Sequence, residues 1–365
     1  MEDLKLIEEL SNSFGPSGFE TEVYSIIKKQ LGHLDSRISR DRLGSLIYHL
    51  KGIEENAPKV LLTAHADEVG FIVEKITSSG LIRFLPLGGW FDQTLLSQRV
   101  TIMNAKGDLV PGMILSVPKH FLDDNLKSKP VTMDRMLIDI GACSQAEVED
   151  DFHIYPGMPI VPRSEFEQLS DHRFMGKALD DRLGCAALVK LLQEYSEMPH
   201  QCDIYGAFTA QEEVGARGGI TVSNMIQPDL AIILEAAPSD DIPGIASSPE
   251  QGVLGNGCQV RFYDPTLITN PKLASMVVKI AEDENIDFQC AVRRSGGTDG
   301  KYVHLNEAGV PTIVLGVPAR SVHSHNSIAD LNDYYSMKKL AINLISQIDN
   351  SFIESRKRST DENSP

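Results

Sequence analysis

The stretch KVLLTAHADEVGFIV, residues 59–73, decides how the chain is read. Lys59 to Ala64 is a nearly continuous apolar run, the pattern of a strand covered on both faces in a parallel sheet. His65 follows it, and Asp67 places a carboxylate two residues further on. From about Phe71 the texture changes. Short β-rich runs at 70–76, 81–85, 100–103, 113–117 and 136–139 alternate with Gly, Pro and Asn turns, with one short helical pattern at 144–150. This spacing predicts a small β-barrel or sandwich over residues 71–164.

On the N-terminal side, Leu4, Leu6, Ile7 and Leu10 recur at near-helical spacing. A Gly-Pro-Ser-Gly break follows at 15–18, then a second amphipathic helix carried by Val23, Ile26, Ile27 and Leu31. Ser17 with Glu20 matches a capping box for that helix, and 46–50 reads as a strand. Beyond the β-rich region, helices at 182–195, 218–225, 271–285 and 332–351 alternate with strands at 203–210, 229–234 and 311–317. The fold class that follows is α/β. It is a helix–sheet–helix sandwich with a mostly parallel central sheet, built from residues 1–70 and 165–352 and interrupted by the β-barrel insertion. Residues 353–365 read as a polar, disordered tail.

Composition narrows the function. With 365 residues, 42% of them hydrophobic, the chain can bury a large core in two domains. A balance of 34 basic against 51 acidic side chains repels phosphate backbones, so no nucleic-acid partner is expected. The five cysteines form no CxxC pair, which argues against a thiolate metal site or a disulfide framework and suits a reducing compartment. The first ten residues mix acids with apolar residues, unlike a signal peptide, and no run reaches the roughly 18 apolar residues of a membrane span. A soluble, cytoplasmic protein is expected.

Six groups carry the chemistry: His65, Asp180, Glu212, Glu213, Glu235 and His323. Each falls just past an expected strand or between a strand and a helix, where ligands bind in open α/β sheets. Each also has a plainer reading. His65 can be a structural histidine, Glu212-Glu213 a solvated turn, Asp180-Asp181 a helix cap, Glu235 a surface acid, and His323 with His325 a polar loop. The order His, Asp, Glu-Glu, Glu, His on successive strand ends is the specific signal. Two imidazoles with several carboxylates suit a pair of divalent cations. Asp67 is placed to orient His65 through its ring N–H.

TAHADEVGFIV (63–73), GKALDDRLGC (176–185), TAQEEVGARGG (209–219), SGGTDG (295–300) and GVPARSVHSH (316–325) together resemble the M42 family of metallo-aminopeptidases, in the same order and over nearly the whole chain. The resemblance implies a zinc-peptidase-like sandwich acting on peptide substrates with two divalent metal ions, zinc before cobalt or manganese. It implies Asp180 as the bridging carboxylate, His65 and Glu235 completing one metal site, Glu213 and His323 the other, and Glu212 as general base. Asp67 would orient His65. It further implies that the inserted barrel mediates dimerisation, with dimers able to build a homo-oligomer as large as a dodecamer. Glu235 stands where the family usually has Asp, and Asp181 where it often has Asn. Thr298, Asp299 and Arg320 also match family positions near the site but are assigned no role there; their plain readings are a cap on the following helix and a pair with a structural acid. Competing readings are a deacylase or carboxypeptidase on the same site, the endoglucanase label some relatives carry, and a scaffold without catalysis.

Overall fold

The computed structural model describes residues 2–121, 129–244 and 250–351; the tail expected at 353–365 lies outside them. Four parallel strands form the centre of the large sheet, side by side in the order Asp203–Thr209, Lys59–His65, Leu230–Pro238 and Thr312–Arg320. They sit centrally because both of their faces are apolar. Val60, Leu62 and Ala64 enter one core and Leu61 the other; Leu230, Ile232 and Leu234 enter the first, Ala231 and Ile233 the second. Leu46–Leu50 flanks this centre antiparallel on one side. Cys258–Asp264 and Ser327–Asp330 join antiparallel on the other.

Helices cover both faces. Glu2–Asn12, Thr21–Gln30, Leu179–Ser196, Pro271–Asp283 and Leu331–Ser346 bury their apolar stripes in the first core. Arg217–Ile226 closes the second through Val222 and Ile226. Local chemistry sets the ends. Pro271 stands at the first turn of its helix, where its missing N–H costs nothing, and the Asn270 side chain accepts from the N–H groups of Lys272 and Leu273. Asp330 caps the last helix through the N–H of Asn332. The described residues contain no helix long and apolar enough to cross a membrane.

The insertion is a closed barrel of Gly70–Ile76, Ile82–Leu87, Ile138–Asp139, Leu109–Ile114, Arg99–Met103 and Pro159–Pro162, in that order around the ring. It has its own core, with Phe71, Phe84, Ile102, Ile114 and Ile138 fully buried or nearly so. The strand expected at 113–117 instead runs from Leu109 to Ile114. Pro111 and Gly112 disguise it as a turn, yet Pro111 pairs with Thr101 in the barrel ladder. The helical pattern at 144–150 becomes one wide turn, Glu147–Asp151. Two strands that the sequence hides, Cys258–Asp264 and Phe288–Val292, pair in parallel. In the first, Gln259 and Arg261 interrupt the apolar pattern although both are buried.

The expected capping box does not form. The second helix begins at Thr21 with no side-chain cap. Ser17 Oγ donates instead to Asp67 Oδ2 at 2.6 Å, and Glu20 Oε1 accepts from the N–H of Gly18 at 2.7 Å. The reason is burial: Asp67 is fully enclosed and needs donors more than a solvated helix end does. Beside it, Lys177 Nζ lies 2.7 and 2.9 Å from the two Glu68 oxygens and donates to Ser13 O at 2.6 Å. Arg182 donates to Ala66 O. This buried network ties the N-terminal segment to the end of the central strand.

Candidate metal centre

His65 is the last residue of its strand, whereas Glu235 lies inside its strand and not beyond it. Counting in twos from Leu61 and Ile233, both point to the face of the second core. Asp180 follows Ala178, which holds φ +53°, and the peptide between Asp180 and Asp181 is cis. Glu212 follows Gln211 at φ +58°, and His323 itself holds φ +56°. Non-glycine residues in the left-handed region cost about 1–3 kcal/mol each and persist where the surroundings hold them. Three of them flank or form this cluster.

The geometry divides the ligand candidates into two triads that share Asp180. On one side, His65 Nε2 lies 3.2 Å from Asp180 Oδ1 and 3.3 Å from Glu235 Oε1. On the other, His323 Nε2 lies 3.3 Å from Asp180 Oδ2 and 3.4 Å from Glu213 Oε2. Donor atoms held by one tetrahedral zinc ion are about 3.3–3.5 Å apart, since each bond is about 2.0–2.2 Å. Glu213 Oε1 is buried and accepts no hydrogen bond, as an oxygen reserved for a cation would be. Two partly overlapping groups have donor atoms within 4.8 Å of one another: His65, Asp180 and Glu213, and His65, Asp181 and Glu235. Asp181 is already engaged, accepting from the N–H of Gly184 at 2.9 Å and of His65 at 3.2 Å. It caps the helix, so Asp180 is the freer ligand.

Each imidazole is oriented from behind by a carbonyl. His65 Nδ1 lies 3.0 Å from Asp67 O and 3.5 Å from the Asp67 carboxylate; His323 Nδ1 lies 2.9 Å from Gly89 O. Both leave Nε2 to face the carboxylates. The Asp67 carboxylate accepts from Ser17 Oγ and from the N–H groups of Glu212, at 2.9 Å, and Glu213, at 3.1 Å. It therefore sets the turn that presents both glutamates. Asp299 does similar work one layer out, accepting from Thr209 Oγ1 at 2.5 Å and Gly219 N–H at 3.1 Å. Thr298 Oγ1 accepts from Gly300 N–H, and Arg320 pairs with Asp241 at 2.6 Å. Gly89 and the cleft arginines described below carried no sequence signal, and Ser17 carried that of a helix cap.

Without cations the cluster is electrostatically frustrated. Burial pushes Glu213 up to about 8, partly offset by His323. Burial likewise pushes Glu235 up to about 7, against the pull of His65, and drives Glu212 well above the usual range. Burial alone would lower His323, but Asp180 and Glu213 outweigh it and raise it to about 9. Asp180 is held low by the two imidazoles despite its burial. The cluster opens into a cleft of 730 Å³ that is also lined by Arg261, Arg293 and Arg294.

A cleft of imidazoles and carboxylates at the carboxyl ends of parallel strands is the site of an α/β enzyme. The family model described as M42 glutamyl aminopeptidase matches residues 44–340. The glutamyl aminopeptidase of Lactococcus lactis subsp. cremoris (strain MG1363) is 30% identical over 335 residues, 92% of this chain and 93% of that protein. The TET aminopeptidase from the marine sediment archaeon Thaumarchaeota archaeon SCGC AB-539-E09 is 37% identical with a TM-score of 0.93, covering 97% of this chain and 98% of its own. The TET1 peptidase of Pyrococcus horikoshii, described as able to assemble into a tetrahedron or a large octahedral shell, is 28% identical with a TM-score of 0.84, covering 95% and 100%. The overlap includes both sandwich and barrel. The chain belongs to the M42 peptidase family and is a peptide hydrolase of the aminopeptidase type.

The raised pKa values fix a pH dependence. The groups on Glu213 and His323 bind protons more tightly folded than unfolded, so their contribution to stability falls as pH rises towards about 8 and 9. Chelator-treated protein should therefore lose Tm between pH 6 and pH 9 in differential scanning calorimetry. Adding zinc ions at pH 7 should release protons and abolish that loss. A flat Tm in the chelated protein would contradict the electrostatic picture.

Proposed function

We propose that the chain is a dinuclear metal-dependent aminopeptidase in which Glu212 is the general base. The observation that carries this is the division of Asp180: its two oxygens face separate imidazole–carboxylate pairs at spacings of 3.2–3.4 Å. His65 and Glu235 would hold one cation, Glu213 and His323 the other, and zinc matches the donor set best. Glu235 in place of an aspartate keeps an oxygen ligand, and its reach to within 3.3 Å of His65 Nε2 supports that role. When bound, the cations would acidify a water molecule and polarise the scissile carbonyl. The Glu212 carboxylate lines the cleft but is not among those facing an imidazole. That leaves it free to take a proton from the attacking water and return it to the departing amine. Asp67 holds Glu212 and Glu213 in place through their backbone.

The cleft arginines favour an acidic N-terminal side chain. Arg261 is only 5% exposed, and its Nε has no partner. Its Nη1 lies 3.3 Å from Asp264, and Arg293 Nη1 lies 3.1 Å from Asp240. A buried guanidinium with a vacant donor is suited to a carboxylate.

The barrel supplies an assembly surface. Leu109 and Met113, alternate residues of one barrel strand, are 53% and 42% exposed, and Phe91 of the insertion is 60% exposed. We read this face as the contact between copies of the chain.

Three experiments test these readings. Glu212→Gln should lower kcat by about 10²–10⁴-fold while two metal equivalents remain by elemental analysis, and His323→Ala should retain one; sustained turnover in the first variant would defeat the base assignment. Among aminoacyl-nitroanilides, Arg261→Gln should reduce kcat/KM for glutamyl substrate by at least about tenfold and leave leucyl substrate nearly unchanged; equal losses would remove the specificity role. Leu109→Asp combined with Met113→Asp should lower the mass seen by light scattering, and an unaltered mass would exclude this face.

A further inference from the structure

The second triad touches the inserted barrel. After the strand Ile82–Leu87 the chain turns through Gly88, Gly89 and Trp90 directly against Glu213 and His323. Gly89 O accepts from His323 Nδ1 at 2.9 Å. A Cβ on Gly89 would sit 3.3 Å from that same nitrogen. A Cβ on Gly88, which holds φ +86°, would sit 2.7 Å from Val69 Cγ1, 3.2 Å from Glu213 Cβ and 3.3 Å from Glu213 Oε2. Only a turn without side chains approaches both ligands this closely.

The turn is pinned from both sides. Trp90 stacks on Phe71 of the barrel core with ring centroids 4.6 Å apart and donates its indole N–H to Gly70 O at 3.0 Å. Its other neighbour is the buried ring of His325, 5.8 Å away, in the loop that carries His323. Phe71, Trp90 and His325 thus form a bridge from the barrel core, through the turn, to the ligand loop.

We propose that the inserted barrel completes one half of the metal centre: the Gly88–Gly89 turn, fixed by Trp90, holds His323 in the tautomer and orientation that bind the cation shared by Asp180, Glu213 and His323. The proposal rests on the two-cation reading above. Trp90 is a positioning residue here, acting through Gly89 on His323. The logic is that of a metal-bound imidazole whose other nitrogen donates to a fixed acceptor, a contact commonly worth 10–100-fold in affinity, by order of magnitude. His65 needs no such help, because its acceptor, Asp67 O, lies two residues along its own chain.

The test is zinc titration of the chelated full-length protein by calorimetry, with metal analysis. Gly89→Ala and Trp90→Ala should weaken one of the two zinc equivalents by about 10–100-fold and leave the other at its original affinity. Trp90→Phe, which keeps the stacking ring, should recover most of the loss. The cobalt-substituted visible spectrum should change for one ion only. If both equivalents bind Gly89→Ala and Trp90→Ala as tightly as the unaltered chain, while His323→Ala loses one, the barrel plays no part in the centre and this inference is overturned. Equal weakening of both equivalents would also overturn it, because that marks a general loosening. If His323→Ala keeps both equivalents, the assignment of His323 as a ligand falls, and this proposal falls with it.

Discussion

One carboxylate faced from opposite sides by two imidazoles organises the rest of the molecule. Asp180 sits where three acids and two bases would otherwise repel or neutralise one another within a few ångströms. Burying such a set without counter-charges costs several kcal/mol per unpaired ion, by order of magnitude. The protein keeps the charges and arranges them so that positive charge between them lowers the energy of all. Hence, among the described residues, no guanidinium or ammonium group pairs with a carboxylate of either triad. The buried cations Lys177 and Arg182 are spent on Glu68, and Arg261 and Arg293, which line the cleft, pair with Asp264 and Asp240.

Holding the candidate ligands in place demands rigidity, and the parallel sheet provides it. His65 and Glu235 stand on adjacent central strands whose register is set by apolar burial on both faces. A slip of one residue would turn the candidate ligand to the opposite face and mismatch the packing of both cores, so packing energy enforces its position. The remaining ligands come from turns, and there the backbone is strained instead. Ala178, Gln211 and His323 take left-handed conformations that favour glycine. Hydrogen bonds over-determine these turns, above all the Asp67 carboxylate, which gathers a hydroxyl and two N–H donors.

This contrast explains what was legible in the sequence. Central strands and covering helices announce themselves by apolar pattern, and the ligand candidates by their position at strand ends. What stayed hidden is whatever depends on an unmade local choice. Ser17 looks like a helix cap until a buried carboxylate claims it. Pro111 and Gly112 look like a turn until the barrel closes around them. Arg261 looks like a surface residue because its strand breaks the apolar pattern, and only the fold shows it buried with its Nε unpaired. No periodicity shows that Gly89 contributes a carbonyl, since its contact is made by backbone and across 234 residues of sequence.

The point of insertion follows from the same constraints. The barrel leaves the sheet directly after His65 and Asp67, and it returns through Pro159–Pro162 before the segment bearing Asp180. Its first strand is pressed so closely to its last that a Cβ on Gly70 would lie 2.6 Å from Ile160 O. A module anchored this near the ligands cannot tilt without moving the turn that faces Glu213 and His323. If copies of the chain meet through the exposed face of the barrel, assembly and ligand geometry share one rigid joint. Association that restrains the barrel would then also restrain the half of the candidate centre formed by Glu213 and His323, with no need for the sheet to deform.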